Sequence, residues 1–277
     1  MPEVQNRACF LTPRHPNPDY PLFVFLPGMD GTGQLLRSQT EGLETSFDVR
    51  CLALPPDDST HWDDLAVSVV NLIQEELKKQ PSRSVYLCGE SFGGCLAVKV
   101  ALRSPDLFKR IILVNPATSF NQRPLLRLGA QLGRWIPDFI YPISAVGLLP
   151  FLSALERIPS SDRRALLNAM QSVPPQTVNW RISMVTEFEL DETQLCHITQ
   201  PVLVIAGAAD KLLPSVMEAE RLVNLLPNAK MVILPDSGHT CLLETDVHLF
   251  DILKNQNFLD NSVPNQGSES VLIPMAE

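Results

Sequence analysis

Apolar residues in this chain fall into short unbroken runs separated by stretches of helical periodicity. The runs cover residues 21–26, 47–54, 84–88, 110–114, 201–207 and 230–235, reading PLFVFL, FDVRCLAL, SVYLC, RIILV, PVLVIAG and KMVILP. Runs of this length, rich in Val, Ile, Leu and Phe and stopped by Gly, Pro or Asp, predict strands buried on both faces. Between them, residues 60–77 place Leu65, Val69, Leu72, Ile73 and Leu77 on one helix face, with Thr60 as the expected N-cap. Helices are also expected over residues 32–44, 95–102, 214–226 and 240–253. Strand and helix in alternation imply an α/β fold with a mostly parallel, doubly wound sheet.

Residues 121–199 break this alternation. The stretch lies between two expected core strands and is far longer than an ordinary connection. It contains long apolar pieces, Leu125-Leu126-Arg127-Leu128 through Trp135-Ile136, then Phe139-Ile140-Tyr141 and Leu148-Leu149-Pro150-Phe151-Leu152. The expected organisation is a core of residues 1–120 and 200–255, a helical cap over 121–199 inserted after the strand near residue 114, and a mobile polar tail over 256–277. An apolar cap can line a pocket for an acyl or isoprenoid chain, with Trp135 and Phe139 as candidate substrate-binding residues. The alternative is a buried helical insert with no substrate role. Arg123, Arg127 and Arg134 read as a solvated helix face, with peripheral contact to an anionic bilayer as the alternative.

The chemistry concentrates where strands end. The run SVYLC leads into Gly89-Glu90-Ser91-Phe92-Gly93-Gly94, a G-x-S-x-G pentapeptide between a strand and a helix. This is the nucleophile-elbow pattern: a sharp turn holds the serine hydroxyl clear of the sheet, and Gly89 and Gly93 stand where a Cβ would collide. The N-terminal N–H groups and dipole of the following helix then face the point where negative charge develops. A serine hydroxyl needs a base, and the base an orienting carboxylate. Asp210 follows the run PVLVIAG, and His239 follows KMVILP in the loop Asp236-Ser237-Gly238-His239. The order Ser91, Asp210, His239 is the one this arrangement requires.

The chain has five histidines. His15 lies in a proline-rich stretch, His61 at a helix start, His197 before a strand at the wrong sheet edge, and His248 within an expected helix. Asp236 is the rival acid, but it stands too close in sequence to His239 to orient the ring easily. For an oxyanion, the expected donors are the backbone N–H groups of Phe92, after the serine, and Met29, in the loop Pro27-Gly28-Met29-Asp30-Gly31-Thr32-Gly33. That loop matches neither G-x-x-x-x-G-K-[ST] nor G-x-G-x-x-G, so a phosphate cradle is the weaker reading.

These residues carry a resemblance. The strand, P-G-x-D-G-T-G loop, G-E-S-F-G-G elbow, late Asp and Gly-His resemble the α/β-hydrolase superfamily over nearly the whole chain. Residues 23–33, 90–97 and Val114-Asn115-Pro116-Ala117-Thr118-Ser119-Phe120 more closely resemble the hydrolase-like half of plastid phytyl ester synthases and their cyanobacterial relatives. The resemblance implies acyl donors with long-chain alcohols or lipids. In the plant proteins an acyltransferase half with an H-x-x-x-x-D motif follows. No histidine here has Asp five positions on, so a stand-alone hydrolase is expected.

Composition narrows the rest. At 277 residues and 45% hydrophobic, the chain can bury a large core. A net charge of −9 argues against nucleic acid as the main partner. Six cysteines show no metal spacing, and no secretory signal or membrane-length apolar run is apparent. The expectation is a cytoplasmic enzyme without metal or cofactor. It cleaves carboxylic esters, lipid-like or with long acyl chains, through an acyl-enzyme on Ser91. Transfer of the acyl group to an alcohol such as phytol is the alternative with the same chemistry. A lipid-binding module without turnover is the alternative without it, and a cofactor-free perhydrolase would use the same three residues.

Overall fold

The computed structural model describes residues 7–14, 16–122, 147, 149–151 and 154–259. Seven strands form one sheet: β1 (Cys9–Leu11), β2 (Leu22–Leu26), β3 (Asp48–Ala53), β4 (Val85–Glu90), β5 (Arg110–Val114), β6 (Val202–Gly207) and β7 (Ala229–Leu234). Their spatial order is β1-β3-β2-β4-β5-β6-β7. Every neighbouring pair is parallel except β1, which runs antiparallel to β3. The chain has the α/β-hydrolase fold.

The continuous apolar runs are explained by burial on two faces. In β2, Leu22, Val24 and Leu26 enter one core cluster, whereas Phe23 and Phe25 enter the other. The first face is covered by α2 (Trp62–Lys79), α3 (Phe92–Arg103) and α6 (Ser215–Leu225); the second is covered by α1 (Arg37–Leu43) and α7 (Leu249–Asn255). Successive strand side chains point to opposite faces, so the inner strands are apolar almost throughout. The last run was expected to be buried on both faces as well, but β7 is an edge strand and only partly buried, with Lys230 and Ile233 exposed. Phe47 is a hinge of the second face, its ring 5.3 Å from Phe23, 4.8 Å from Tyr86 and 6.4 Å from Phe250. Between β5 and β6 the described residues include α4 (Ser160–Gln171) and α5 (Pro175–Thr186). Trp62 at the start of α2 donates its indole N–H to the Met184 carbonyl of α5 at 3.0 Å, tying this insert to the core.

Several elements differ from expectation for identifiable reasons. The first helix is only Arg37–Leu43, because Gly33 holds φ +65° and a Cβ there would lie 2.4 Å from the Leu52 carbonyl oxygen. Thr60 does not cap α2: His61 occupies that position without a side-chain bond, and Asp63 and Asp64 supply the favourable first-turn charge. Residues 240–253 are not one helix. A single 3-10 turn, Cys241–Leu243, is followed by irregular chain, and His248 is the N-cap of α7. Gln39 takes up this backbone, donating to the carbonyls of Leu242 at 2.7 Å and Val247 at 2.8 Å and accepting the Leu249 N–H at 2.7 Å. Phe258, placed in the mobile tail by the sequence, is 2% exposed within the second core cluster. Residues 260–277 lie outside the described residues, as do Trp135, Phe139, Arg123, Arg127 and Arg134 of the expected cap.

At the amino ends of the strands a buried ion cluster joins three segments. Asp48 accepts from Arg50 Nη1 at 2.6 Å and Arg83 Nη2 at 2.7 Å, and Arg83 Nε donates to the Tyr20 carbonyl at 3.0 Å. Burial pushes the Asp48 carboxyl up, but the hydrogen bonds and charges of Arg50 and Arg83 outweigh this and hold it below its ordinary value. Removing the carboxylate leaves Arg83 without its buried counter-charge and Arg50 with Glu76 alone. Asp48→Ala should therefore lose about 3–5 kcal/mol of stability, measured by urea denaturation.

Candidate active site

The parallel register brings five strand ends to one edge. Leu26 pairs with Gly89, Glu90 with Val114, Val114 with Ile205, and Gly207 with Leu234. The loops that leave these ends carry Met29, Ser91, Asn115, Asp210 and His239, so residues far apart in sequence meet beyond the carboxyl edge, where open α/β sheets place their sites.

Ser91 sits between β4 and α3 with φ 53° and ψ −113°, a left-handed conformation that a non-glycine residue rarely adopts. The turn is held by Ser91 N–H to the Val114 carbonyl at 3.0 Å and by Ala117 N–H to the Ser91 carbonyl at 3.2 Å. Its tightness leaves no space for side chains. A Cβ on Gly93 would fall 2.0 Å from the Leu26 carbonyl oxygen, and one on Gly89 2.2 Å from the Gly93 carbonyl oxygen. Gly94, which the pattern leaves free, is equally constrained, with Pro116 Cβ 2.7 Å from the position a Cβ would take.

Ser91 Oγ lies 2.8 Å from His239 Nε2, and His239 Nδ1 lies 2.7 Å from Asp210 Oδ2. With Asp210 ionised, Nδ1 carries the proton and Nε2 is left to accept from the serine hydroxyl. Both the His239 and Asp210 side chains are almost wholly buried. Asp210 is fixed from several sides: Oδ1 accepts the N–H groups of Leu212 at 2.8 Å and Leu213 at 2.9 Å, and Oδ2 accepts the Ser215 hydroxyl at 2.5 Å. Burial alone would raise its pKa, but the His239 charge and these hydrogen bonds bring it below the ordinary carboxylate value. Asp236 is exposed. Of the other described histidines, His61 meets the Trp180 ring edge-on at 4.6 Å, His197 ends a 3-10 turn and His248 caps α7. His15 lies outside the described residues.

The loop after β2 is next to the serine: a Cβ on Gly28 would lie 4.0 Å from Ser91 Cβ. It folds as a turn closed by Gly31 N–H to the Gly28 carbonyl at 3.0 Å, and Asp30 stiffens it by accepting the Thr32 N–H at 2.8 Å and hydroxyl at 2.5 Å. Among the described residues, neither the Met29 nor the Phe92 N–H donates to a main-chain turn or cap bond. A cavity of about 510 Å³ opens on the flank of α3, lined by Lys99, Leu102, Thr118, Asn121, Leu190 and Gln194 among others; Ser91, Asp210 and His239 do not line it. Among the described residues, no group of three or more His, Cys, Asp or Glu is placed to hold a metal ion.

Four buried polar groups around these loops escaped the sequence reading. Asn115, fully buried at φ 41°, donates to the carbonyls of Gly238 at 3.1 Å and His239 at 2.7 Å and accepts the Gly207 N–H at 2.8 Å, binding the loops after β5, β6 and β7 together. Glu244 accepts the Gly238 N–H at 2.8 Å and Arg157 Nε at 2.9 Å. Arg181 of α5 donates to the Met29 carbonyl. Glu90, adjacent to the serine, is buried near His239 and Asp30. Only Asn115 had a signal, a polar residue directly after a strand. The others are separated from their partners by chain length or hidden in a helix.

A family model described as serine aminopeptidase, S33, matches residues 55–246. Phytyl ester synthase 1, chloroplastic, of Arabidopsis thaliana is 34% identical over 262 residues, covering 86% of this chain and 37% of that protein. The chain thus spans little more than a third of the length of this relative. Pimeloyl-[acyl-carrier protein] methyl ester esterase of Vibrio atlanticus is 26% identical, covering 79% of this chain and 87% of the other. Among solved structures, MenH from S. aureus superimposes with a TM-score of 0.73 at 18% identity, covering 91% of this chain and all of the other.

Glu90 gives the site a pH signature. Burial pushes its carboxyl up to about 7, with His239 pulling down and Asp30 adding to the rise. A folded pKa above the unfolded value means the native state binds the proton more tightly. That stabilisation is complete below the unfolded value near 4.5 and is lost as pH rises through about 7. Glu90→Gln, which mimics the neutral form, should therefore gain stability over the parent as pH rises from 5 to 8, by on the order of 2–3 kcal/mol. Denaturation of both proteins across this range checks it; parallel pH profiles would show that Glu90 does not titrate there.

Proposed function

We propose that this chain, which belongs to the serine aminopeptidase, S33, family and has the α/β-hydrolase fold, is a hydrolase that cleaves carboxylic esters through an acyl-enzyme on Ser91. The observation that carries this reading is the continuous hydrogen-bond chain from Asp210 through His239 to a serine held on a strained turn. Ser91 Oγ attacks the ester carbonyl carbon while its proton passes to His239 Nε2. The carbonyl oxygen becomes an oxyanion, which accepts the N–H groups of Met29 and Phe92. As the ester C–O bond breaks, Nε2 returns the proton to the departing alkoxide and the acyl group stays on Ser91. Water then attacks that acyl group, gives its proton to Nε2, and the acid leaves as Ser91 is reprotonated. Asp210 stays ionised throughout, holding the ring orientation and balancing the imidazolium.

The proposed substrate is lipid-like. Two observations support this: similarity to proteins named for phytyl ester synthesis and for pimeloyl-carrier methyl ester cleavage, and the apolar sequence of residues 125–152. In this reading residues 121–199 form a cap over Ser91, with Trp135 and Phe139 in its lining. The second reading, transfer of the acyl group to a long-chain alcohol, is favoured by the 34% identity to the synthase. It differs only in which hydroxyl attacks the acyl-enzyme, so product analysis with and without phytol separates the two. All six cysteines are unpaired, which supports a reducing, cytoplasmic setting. Among the described residues no helix is long and apolar enough to cross a membrane.

Ser91→Ala and His239→Ala should each abolish p-nitrophenyl ester turnover and fluorophosphonate labelling while preserving the fold, and the double variant should lose no more, because the groups act as a unit. Asp210→Asn should lose about a thousandfold or more in kcat. Appreciable turnover by Ser91→Ala would exclude the acyl-enzyme route.

Chain-length preference tests the cap. Each buried methylene contributes about 0.8 kcal/mol, so kcat/KM should rise by more than about tenfold between acetate and medium-chain esters. Trp135→Ala and Phe139→Ala should alter that slope more than they alter acetate hydrolysis. A flat series, unchanged by these substitutions, would remove the lipid-like substrate.

A further inference from the structure

Arg181 is 2% exposed and belongs to α5, within the insert between β5 and β6. An arginine buried to this degree normally meets a carboxylate, because desolvating a cation is costly. Here the guanidinium donates instead to two main-chain carbonyls, Met29 through Nη1 at 2.7 Å and Pro55 through Nη2 at 3.3 Å. Asp30 and Asp58 act on it only through space among the described contacts. The two carbonyls belong to the loops after β2 and β3, so one side chain from the insert spans both.

The fit is mutual. A Cβ on Gly31 would lie 2.7 Å from Arg181 Nη1, so the guanidinium rests on the bare Cα of a residue already at φ +66°. The turn bond from Gly31 N–H goes to the Gly28 carbonyl and leaves the Met29 carbonyl outside the turn. Arg181 supplies its partner. With the Gly28 carbonyl fixed on one side and the Met29 carbonyl on the other, rotation of the peptides flanking Met29 is blocked.

We infer that Arg181 is a positioning residue for the ester-cleaving site: by holding the Met29 carbonyl from the insert, it keeps the Met29 N–H aimed at the oxyanion. The inference rests on the acyl-enzyme reading above. Its physical content is that the insert completes the machinery as well as covering it. A donor held about 1 Å away from its productive place can cost on the order of a hundredfold in rate, comparable with losing the donor.

The experiment compares Arg181→Met and Arg181→Lys with Arg83→Met, which removes a buried arginine at the opposite end of the sheet. Kinetic constants are measured with a p-nitrophenyl ester and unfolding by thermal circular dichroism. Arg181→Met should lose about ten- to a hundredfold in kcat with KM changed less than about threefold, because the oxyanion exists only in the transition state. Arg181→Lys keeps the charge without the two-pronged donor and should fall between. Arg83→Met should lower Tm and leave kcat in place. The inference is overturned if a folded Arg181 variant keeps kcat within about twofold of the parent, if KM alone changes, if Arg83→Met loses kcat equally, or if neither Arg181 variant folds. A parent protein that neither turns over esters nor takes a fluorophosphonate on Ser91 would sink the ester reading and this inference with it. An active parent with active Arg181 variants sinks this inference alone.

Discussion

The close approach of backbone to backbone at the start of α3 is the constraint from which the site follows. Gly93 packs so tightly beneath the end of β2 that no side-chain atom fits between it and the Leu26 carbonyl. This contact fixes α3 against β2, the approach of Gly89 to the Gly93 carbonyl fixes it against β4, and Ser91 between them takes positive φ. A left-handed serine costs on the order of 1–3 kcal/mol and persists only when its surroundings leave no alternative. Here the Val114 carbonyl, the Ala117 N–H and three glycines do so. The hydroxyl is presented by crowding elsewhere, which explains why the strained residue and the tightest contacts share one turn.

The sheet supplies strand ends; polar side chains turn the ends into a site. Asn115, Glu244, Gln39 and Arg181 each hydrogen-bond to main-chain groups of another segment. Loops carry exposed backbone and are mobile unless such partners hold them. Asn115 and Glu244 converge on Gly238 and His239, whereas Arg181 serves the Met29 loop. The proposed base and the proposed oxyanion donor are therefore anchored independently, and both anchors reach the insert, through Arg157 on one side and Arg181 on the other.

Legibility in the sequence followed the range of the interactions. Strands buried on two faces announced themselves, since each position had to be apolar. The elbow was legible because its glycines are a local steric requirement, and Asp210 and His239 because each lies in the loop after an apolar run. Elements shaped by distant polar partners were misread. The 240–253 segment has helical periodicity, yet Gln39, two hundred positions earlier, takes its carbonyls. Phe258 looked like part of a polar tail because one aromatic carries no period. Thr60 looked like a cap because helix propensity does not report where the backbone turns in. Arg181 reads as an ordinary helix-surface charge, and nothing local reveals that its partners are carbonyls on the far side of the sheet edge.

Charge at the site is arranged around few ionised groups. Asp210 is kept ionised by His239 and its hydrogen bonds, whereas burial raises Glu90 and Asp30 above their ordinary values. Two carboxyls therefore stand near the imidazole with opposite tendencies, the pattern that separates a permanent counter-charge from a group that changes state. Above the Glu90 transition, a second negative charge stands near His239; below it, Glu90 is neutral. The buried guanidinium of Arg181 holds the Met29 carbonyl, with Asp30 near it. In the proposed mechanism the proton moves to His239, which is backed by ionised Asp210, and the negative charge develops at the Met29 loop that Arg181 anchors. That separation is the direction of charge transfer that ester cleavage by a serine requires.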